Sequence, residues 1–519
     1  MMQHGGSSRR LGSWSIATLG IVSACAPALP SVAGAPGVSS TPAVLWPVPE
    51  GARTPAPPPP PPQSPAATAA LASDAPAAGA SMELSLPAVV DLALRNDPAT
   101  RESWALARSA AASYGAARGA LFPTLNVQAE LARSGGSTLG VAGSGAADSL
   151  GGTSRGTTTA SARTQLAPTA SLSYLLFDFG GRAGTIGAAR ERAVAANLTH
   201  NATVLNVVLQ AETTLFTYLA ARALRDAQIV TVSEAQADLT AATERQRLGV
   251  ATLEEVLQTR TALSQARFEL ATDEGNLFGA RGNLAVALGL PANARFDVPP
   301  IAASDSVADV LASVDTLINR AIVQRPELAE SRAEAAALAS EVRVARSAYL
   351  PSLALRSSTG LTRTLAPTNG TTRPYSFGLG LSIPIFSGFG AQYDALAARE
   401  QYAAGLARVA STHQQITVQV FTSYYQLRAS TERVRSAADL LASAEQSATV
   451  ALARYREGVG TIVDVLLARS ALATARAEAI QARWEWRIGL AQLAHDAGVL
   501  DLRGRPNLPL GTDSSGSRR

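Results

Sequence analysis

The sequence RQRLGVATLEEVL at residues 245–257 recurs as RYREGVGTIVDVL at residues 454–466, an offset of 209 residues. The same offset relates three further positions of the two halves: Leu176 to Ile385, Phe177 to Phe386 and Gly181 to Gly390. A repeat this long is a duplication of a whole structural unit, because solenoid repeats are only about 20–50 residues long. The sequence therefore predicts one architecture built from two similar halves.

The two halves differ in the length of their upstream parts. At two positions the offset grows to 228 residues: Arg118 to Arg346 and Pro123 to Pro351. An additional stretch rich in Gly, Ser and Thr in the first half absorbs the difference. We therefore place the first repeat at residues 84–300 and the second repeat at residues 305–502.

The composition favours long helices that pack closely through small side chains. Of the 519 residues, 47% are hydrophobic but only 5% are aromatic. The 44 basic residues are all arginines, which excludes lysine-dependent sites such as a phosphate-binding loop or a pyridoxal Schiff base. The net charge of +4 is small for this length, and no arginine-rich run contains interleaved aromatics, so we expect no nucleic-acid partner.

Residues 1–24 have the pattern of a secretory signal peptide, because two arginines precede a short apolar run that ends in small residues. This run is too short to span a bilayer permanently. Val-Ser-Ala-Cys at residues 22–25 resembles a bacterial lipobox, which predicts that Cys25 carries acyl chains and binds membrane lipid. Ala26 in the next position resembles lipoproteins of the outer membrane. The alternative is an ordinary signal peptide with an incidental cysteine.

Two segments have compositions that do not support a folded domain. Residues 25–80 are rich in Pro, Ala and Ser and include an unbroken proline run at residues 57–62, so we expect an extended tether behind the lipidated cysteine. Residues 503–519 are expected to form a disordered tail. The folded part is thus confined to the two repeats.

Alternating apolar and small polar residues predict four strands. The apolar faces carry Leu125, Val127, Ala129 and Leu131 in the first, Ala170, Leu172, Tyr174 and Leu176 in the second, Leu353 and Leu355 in the third, and Tyr375, Phe377, Leu379, Leu381, Ile383 and Ile385 in the fourth. Strands of roughly 9–11 residues with Ser, Thr, Gly and Asn on the other face are typical of a transmembrane barrel. The alternative is a soluble hairpin whose apolar face covers a core. Loops rich in Gly, Ser and Thr are expected at residues 134–164 and 364–373.

Two long helical hairpins are predicted, one in each half. Residues 181–247 and 253–288 contain no proline, and the longer helix would span on the order of 100 Å. Apolar residues recur every seventh position in both copies: Val256, Leu263, Leu270, Leu277 and Leu284, then Val465, Leu472, Ala479, Trp486 and Leu493. This period predicts coiled-coil packing along each hairpin. Shorter helices are expected ahead of the strands at residues 86–95 and 98–120, and again at residues 317–324 and 326–348.

Four strands cannot close a membrane barrel alone, because an open edge in lipid leaves unpaired backbone groups that cost several kcal/mol each. Other copies of the chain must therefore close the barrel. Two copies would give about eight strands, whose interior side chains would fill, whereas three or more copies leave a lumen. Strand counting thus predicts a homo-oligomeric pore, provided that the strands lie in lipid.

The order helix, strand, strand, long helix, helix occurs twice and resembles the TolC-like outer-membrane factors. The segments that carry the resemblance are LFDFGG at residues 176–181, SIPIFSG at residues 382–388 and the two Gly-Val-x-Thr tips. The lipidated amino terminus resembles the lipoprotein branch of this family, which serves RND-type multidrug efflux. The resemblance implies a mainly helical homotrimer, in which four strands per chain form a 12-strand β-barrel joined to an α-barrel that crosses the periplasm.

The resemblance also implies a function and partners. The trimer would act as the outer-membrane duct of a tripartite efflux system, exporting small molecules or drugs with a periplasmic adaptor and an inner-membrane pump. Metal efflux and type I protein secretion share this outer component and stay open as alternatives. A secreted structural coiled coil, with its hairpins in solvent, is the alternative from a different class. No catalytic constellation or metal-ligand spacing occurs in the sequence, so we expect neither an enzyme nor a cofactor.

The tip motif has a structural and a functional interpretation. Thr252 with Glu255, and Thr461 with Asp464, have the Thr-x-x-acid spacing of a helix capping box. The resemblance implies that Asp464 forms an acidic ring at the periplasmic mouth, and that Tyr455 belongs to a network that holds the entrance shut. We assign Asp464, Tyr455 and Glu255 as candidate periplasmic gate residues.

Two positions depart from the family pattern at this gate. A second acidic position is occupied by Leu467 and a basic position by Gly460, so a filter of two acidic rings is not expected. The remaining tip residues are candidates for docking the adaptor: Arg245, Leu248, Gly249, Val250, Arg454, Gly458 and Val459.

Overall fold

The computed structural model describes residues 41, 43–45, 82–140, 157–299, 312–366 and 369–501. Cys25, the signal peptide, almost all of the predicted tether and the predicted tail lie outside these residues. Within the tether, Ala43 and Leu45 pack against the main hydrophobic core.

Each repeat begins with two short helices that are separated by a proline. These are α1 (Leu86–Asn96) and α2 (Pro98–Gly119) in the first repeat, and α5 (Val314–Gln324) and α6 (Pro326–Ser347) in the second. A proline lies in the first turn of α2 and of α6, where its missing N–H costs no hydrogen bond. Asp97 caps α2, because its Oδ1 accepts a hydrogen bond from the amide of Ala99 at 2.6 Å. These helices confirm the expected pattern.

The strands form one antiparallel sheet and one short parallel ladder. In chain order they are β1 (Met82–Glu83), β2 (Thr124–Gly140), β3 (Thr157–Phe177), β4 (Phe296–Asp297), β5 (Ser352–Gly360), β6 (Thr362–Ala366), β7 (Gly370–Thr372) and β8 (Tyr375–Ser382). The large sheet has the order β7-β6-β3-β5-β8, and β2 pairs with the other side of β3. The small ladder pairs β1 with β4, which joins the beginning of the first repeat to its end. β8 ends at Ser382, so the prediction that its alternation continues through Ile383 and Ile385 was wrong. Pro384 between them has no N–H to donate to a neighbouring strand.

The first predicted loop was too long. β2 and β3 pair without interruption from Thr124 opposite Ser173 to Gly140 opposite Thr157, so both strands extend into the stretch rich in Gly, Ser and Thr. The second predicted loop also contains a hairpin, because Thr362 pairs with Thr372. In both places backbone hydrogen bonds to a neighbouring strand define the strand, and these do not depend on an alternating pattern of side chains.

The four long helices confirm the two predicted hairpins. They are α3 (Gly181–Arg247), α4 (Leu253–Ala287), α7 (Gly390–Arg456) and α8 (Ile462–Asp496). α3 and α7 each contain 67 residues, which corresponds to about 100 Å of continuous helix. The apolar seam is buried at Val256, Leu263 and Leu284 in α4 and at Val465, Leu472, Trp486 and Leu493 in α8.

The long helices lie side by side in the order α4-α3-α8-α7, since α3 packs against α4 and α8, and α8 packs against α7. α2 and α6 pack against α3, and α6 also packs against α7. α3 is long and apolar enough to cross a membrane by composition alone, but half of its most apolar window is buried against other parts of the described chain. The four long helices thus form a slab, with α4 at one edge and α7 at the other.

The main core lies where the short helices of both repeats meet the long ones. Leu215 of α3, Leu317 of α5 and Leu493 of α8 are fully buried within one cluster. Phe216 of α3 packs on Trp484 of α8, with ring centroids 6.0 Å apart. This region joins the two repeats into one unit.

Candidate functional site

The two hairpin tips have the same local geometry. Gly249 and Gly458 have φ angles of +75° and +76°, a left-handed conformation that glycine adopts without a Cβ clash. In each tip an amide then bonds back over the last helical turn: Val250 N to the carbonyl of Arg245, and Val459 N to that of Arg454, both at 2.9 Å. These bonds satisfy carbonyls that the helix end leaves open. The repeated motif therefore encodes a repeated turn.

The second tip contains a complete capping box. Thr461 Oγ1 accepts a hydrogen bond from the amide of Asp464 at 3.2 Å, and Asp464 Oδ2 accepts one from the amide of Thr461 at 3.0 Å. The hydrogen bonds from the Thr461 backbone and side chain lower the pKa of Asp464. The carboxylate therefore stays charged at neutral and mildly acidic pH while it caps α8.

The first tip contains only half of the box. Thr252 Oγ1 accepts from the amide of Glu255 at 3.2 Å, but the carboxylate of Glu255 does not bond back to Thr252. Its Oε2 instead accepts a hydrogen bond from the phenol of Tyr455 at 3.0 Å. The capping-box interpretation is thus confirmed in full for Asp464 and only for the threonine in the first copy.

Tyr455 is held from two sides by the other hairpin. Its side chain is 7% exposed, and the guanidinium of Arg245 lies over its ring with 4.7 Å between the guanidinium carbon and the ring centroid. Burial and the hydrogen bond to the Glu255 carboxylate raise the pKa of Tyr455, so the phenol keeps its proton and donates. Arg245, predicted to dock the adaptor, therefore contacts a predicted gate residue.

A second polar contact between the hairpins lies farther from the tips and was missed by sequence reasoning. Arg469 of α8 forms ion pairs with Glu234 at 2.9 Å and with Asp238 at 3.5 Å, both on α3. Arg476, one heptad along α8, also reaches Glu234 at 3.2 Å. Burial raises the pKa of Asp238, although the charge of Arg469 opposes this. The seven-residue spacing of the two arginines was the signal available in the sequence.

The other docking candidates present an apolar surface at the end of the slab. Leu248, Val250 and Val459 are each more than 60% exposed. Gly249 and Gly458 form the turns between them, and Arg454 donates from Nη2 to the carbonyl of Val459 at 3.5 Å. Leu467, the departure from the family pattern, is 71% exposed one turn beyond Asp464. The described tips therefore expose apolar side chains on both hairpins, together with the acidic capping residue.

No group of three or more His, Cys, Asp or Glu side chains in the described part of the chain has an arrangement that would hold a metal ion. His495 contacts Asp496 and Asn206, and His200 contacts Ser103. These histidines take part in hydrogen bonds between helices.

At the other end of the molecule one face of the large sheet exposes apolar side chains. Tyr375 is 86% exposed and Val127 is 74% exposed, and Phe377, Leu379 and Leu381 follow on β8. A sheet with an exposed apolar face, joined to helices of about 100 Å with capped tips, defines an outer-membrane channel protein of the barrel and helical-duct class.

The sequence model of the outer membrane efflux protein family matches residues 89–290 and 317–499, so the chain belongs to this family. The match falls in two segments, one in each half. The chain is thus an outer-membrane channel protein, and its family is one of channels rather than enzymes.

Three curated relatives are similar to the chain at the level of sequence. Protein CyaE of Bordetella pertussis is 25% identical over 404 residues, which cover 77% of this chain and 81% of the relative. Outer membrane protein TolC of Escherichia coli is 24% identical over 271 residues, covering 50% and 54%. Alkaline protease secretion protein AprF of Pseudomonas aeruginosa is 29% identical over 269 residues, covering 47% and 52%.

Solved structures share the fold at lower identity. The outer-membrane channel OprN superposes with a TM-score of 0.69 and 17% identity, covering 80% of this chain and 90% of that one. The Campylobacter jejuni CmeC outer membrane channel superposes with a TM-score of 0.66 and 19% identity, covering 80% of this chain and 85% of that one. These similarities support the same arrangement of strands and long helices.

Proposed function

We propose that three copies of the chain assemble into a continuous duct across the outer membrane and periplasm. The observation that carries this proposal is the pair of open sheet edges, β2 on one side and β8 on the other. In lipid these edges must be paired, and β2 of one copy is available to β8 of the next. β6 continues the line of β5 along β3, and β7 continues that of β8, so each copy contributes four strands across the sheet. Three copies therefore give a barrel of about 12 strands, which is wide enough for a lumen.

The helices support the same head-to-tail assembly. α4 and α7 lie at opposite edges of the slab, and both expose large apolar side chains there. These are Phe268 and Phe278 on α4, and Val418, Phe421 and Tyr425 on α7. Packing α4 of one copy against α7 of the next would bury both rows and close a helical barrel below the strands.

We propose that this duct exports small molecules, together with a periplasmic adaptor and an inner-membrane pump. The adaptor would bind the apolar tip surface formed by Leu248, Val250 and Val459 around Gly249 and Gly458. Arg454 would stiffen the second turn, since it bonds the carbonyl of Val459. Arg245 belongs at the margin of this surface, because its guanidinium lies over Tyr455.

Asp464, Tyr455 and Glu255 are proposed as the gate at the periplasmic mouth. Three copies of Asp464 would form an acidic ring that attracts cations, and its lowered pKa keeps the ring charged. The hydrogen bond between Tyr455 and Glu255 would hold the two hairpins of one chain in the closed arrangement. Opening would require this bond and the contact with Arg245 to break.

Cys25 is proposed as a lipid anchor behind a signal peptide at residues 1–24, with residues 25–80 as tether. The repeat boundaries at residues 84–300 and 305–502, and the tail at residues 503–519, also stand as proposals. Mass spectrometry of the mature amino terminus tests the anchor, because acylation adds a defined mass that a Cys25→Ser variant lacks.

The test of the duct uses full-length protein purified in detergent. We expect the mass of a trimer, and ion conductance after insertion into planar bilayers. A monomer without conductance would contradict the proposal and favour a structural coiled coil. Deletion of the gene is expected to increase sensitivity to small toxic compounds, and complementation with the intact gene is expected to restore resistance.

Protein secretion is the second candidate, because one relative bears the name alkaline protease secretion protein. Protein secretion and small-molecule efflux are separated by comparing the proteins in the culture medium of the deletion strain with those of its parent. Loss of a secreted protein with unchanged sensitivity to small compounds favours secretion, whereas increased sensitivity with an unchanged set of secreted proteins favours efflux.

A further inference from the structure

Arginine side chains continue the apolar face of the sheet at its outer end. Residues that pair directly across an antiparallel sheet lie on the same face of it. Leu125 pairs with Leu172, and Leu172 also pairs with Ser357 on its other side. Ser357 in turn pairs with Phe377, so these four residues define one face across four strands. This face, called the outward face below, carries the exposed apolar residues.

Three arginines extend this outward face. Arg133 follows Leu125, Val127 and Leu131 in the alternation of β2 and is exposed. Arg363 is also exposed and pairs with Leu166, which itself pairs with Leu131. Arg373 precedes Tyr375 by two residues, and alternation puts it on the same face.

The three arginines lie at similar positions along the strands, as measured by the residues of β3 that they pair with or lie beside. Arg133 pairs with Thr164 on β3, two residues from the partner of Arg363. The repeat offset of 209 residues relates Thr164 to Arg373, so these positions are equivalent in the two halves. All three positions lie where the strands continue away from the helices, beyond most of the exposed apolar residues.

No carboxylate balances this charge on the outward face of the described strands of the large sheet, β2, β3 and β5 to β8. Their only acidic residue, Glu130, alternates with Leu131 and therefore faces the other way. Two more strand arginines also face the other way, because Arg163 pairs with Ser134 and Arg356 pairs with Ser173. Both faces of the sheet therefore carry arginines, but only those of the outward face lie next to the exposed apolar residues.

We propose that Arg133, Arg363 and Arg373 bind the phosphate groups of anionic lipid at the outer boundary of the membrane. A long arginine stem can lie along apolar surface while its guanidinium reaches the headgroups, where the planar fork matches phosphate oxygens. Three copies of the chain would place nine such groups around the barrel. This inference rests on the proposed trimeric membrane barrel.

The test uses the full-length trimer in neutral detergent with lipid A, a phosphorylated glycolipid, as the probe. We compare the wild type with a triple variant, Arg133→Gln, Arg363→Gln and Arg373→Gln. The matched control is the double variant Arg163→Gln and Arg356→Gln, which removes strand arginines from the other face. Binding is measured by native mass spectrometry and by the shift of the thermal midpoint, with phosphatidylcholine and inorganic phosphate as further ligands.

Each arginine is expected to contribute about fivefold to lipid affinity, so the triple variant should bind lipid A about 100-fold more weakly. The wild type and the control double variant should bind alike, and neither phosphatidylcholine nor inorganic phosphate should replace lipid A. Equal binding by the triple variant, or equal loss in the control, overturns the proposal. If the triple variant does not assemble, the three single variants are tested instead, and each should bind lipid A about fivefold more weakly than the wild type.

Conductance in planar bilayers separates the two levels of inference. Wild-type protein that forms neither trimer nor channel contradicts the proposed duct. A conducting trimer whose lipid binding is unchanged by the triple substitution contradicts only the lipid site.

Discussion

The phenol of Tyr455 donates a hydrogen bond to Oε2 of Glu255 at 3.0 Å, although the two residues lie 200 positions apart in the sequence. Tyr455 lies at the end of the first helix of the second hairpin, and Glu255 lies in the first turn of the second helix of the first hairpin. The bond therefore joins the two repeated tips of one chain. Within this pair, the carboxylate that would complete the first capping box is used instead to bind the other repeat.

Tyr455→Phe is expected to favour an open entrance. The substitution removes only the hydroxyl, so Glu255 loses its partner while the packed ring remains, a change of about 1.5–3 kcal/mol for a hydrogen bond to a charged group. Single-channel conductance in planar bilayers should rise, or openings should become more frequent. Tyr393→Phe, which changes an exposed tyrosine near the membrane end of the same helix, serves as the control. Equal conductance in wild type and Tyr455→Phe would show that this hydrogen bond does not hold the entrance closed.

Arg245→Ala is expected to act on the same step as Tyr455→Phe. Loss of the guanidinium over the Tyr455 ring removes an attraction of about 0.5–2 kcal/mol. The double variant should therefore raise conductance by less than the sum of the two single effects. Arg247→Ala removes an exposed arginine that pairs with Glu244 and should leave conductance unchanged. Normal gating with weakened adaptor binding would instead support a docking role for Arg245.

Asp464→Asn is expected to lower the preference of the channel for cations by several-fold, because it removes three charges from the proposed ring but keeps an acceptor for the capping bonds. Reversal potentials in a salt gradient measure this preference. Since the pKa of Asp464 is lowered, the wild-type preference should stay constant as the pH falls from 7 to 5. Glu457→Gln removes another exposed tip carboxylate as the control. Unchanged selectivity in Asp464→Asn would leave Asp464 only its capping role.

Glu212→Gln is expected to weaken the pH dependence of stability. Glu212 is 1% exposed, its Oε1 has no hydrogen-bond partner among the described residues, and burial raises its pKa to about 8. The folded protein therefore favours the protonated acid, whereas the unfolded chain ionises near its ordinary pKa of 4.5. Stability from this group is present below pH 4.5 and is lost as the pH rises towards 8, by on the order of 5 kcal/mol.

The thermal midpoint of the wild type should accordingly fall between pH 5 and pH 8, and that of Glu212→Gln should fall less. Glu400→Gln changes an exposed glutamate of α7 and should keep the wild-type slope. Equal slopes in all three proteins would show that Glu212 ionises normally in the folded state.

Much of the fold was accessible from local patterns. Alternation with a period of two predicted the strands, the heptad seam predicted both hairpins, and the Thr-x-x-acid spacing predicted the cap formed by Thr461 and Asp464. These features depend on residues a few positions apart, so their spacing in the sequence determines them. The limits of β2 and β3 were not predictable, because strand pairing continues through Gly, Ser and Thr without an apolar signal.

The sequence by itself determined the duplication, the helices and strands of each half and the two turns at the tips. Only the tertiary structure decided that Glu255 bonds Tyr455 and that Arg469 pairs with Glu234. Such contacts depend on how far one helix is rotated and shifted against another. A rotation that changes the facing side chains leaves the heptad pattern intact, so the pattern alone does not specify which charged groups meet.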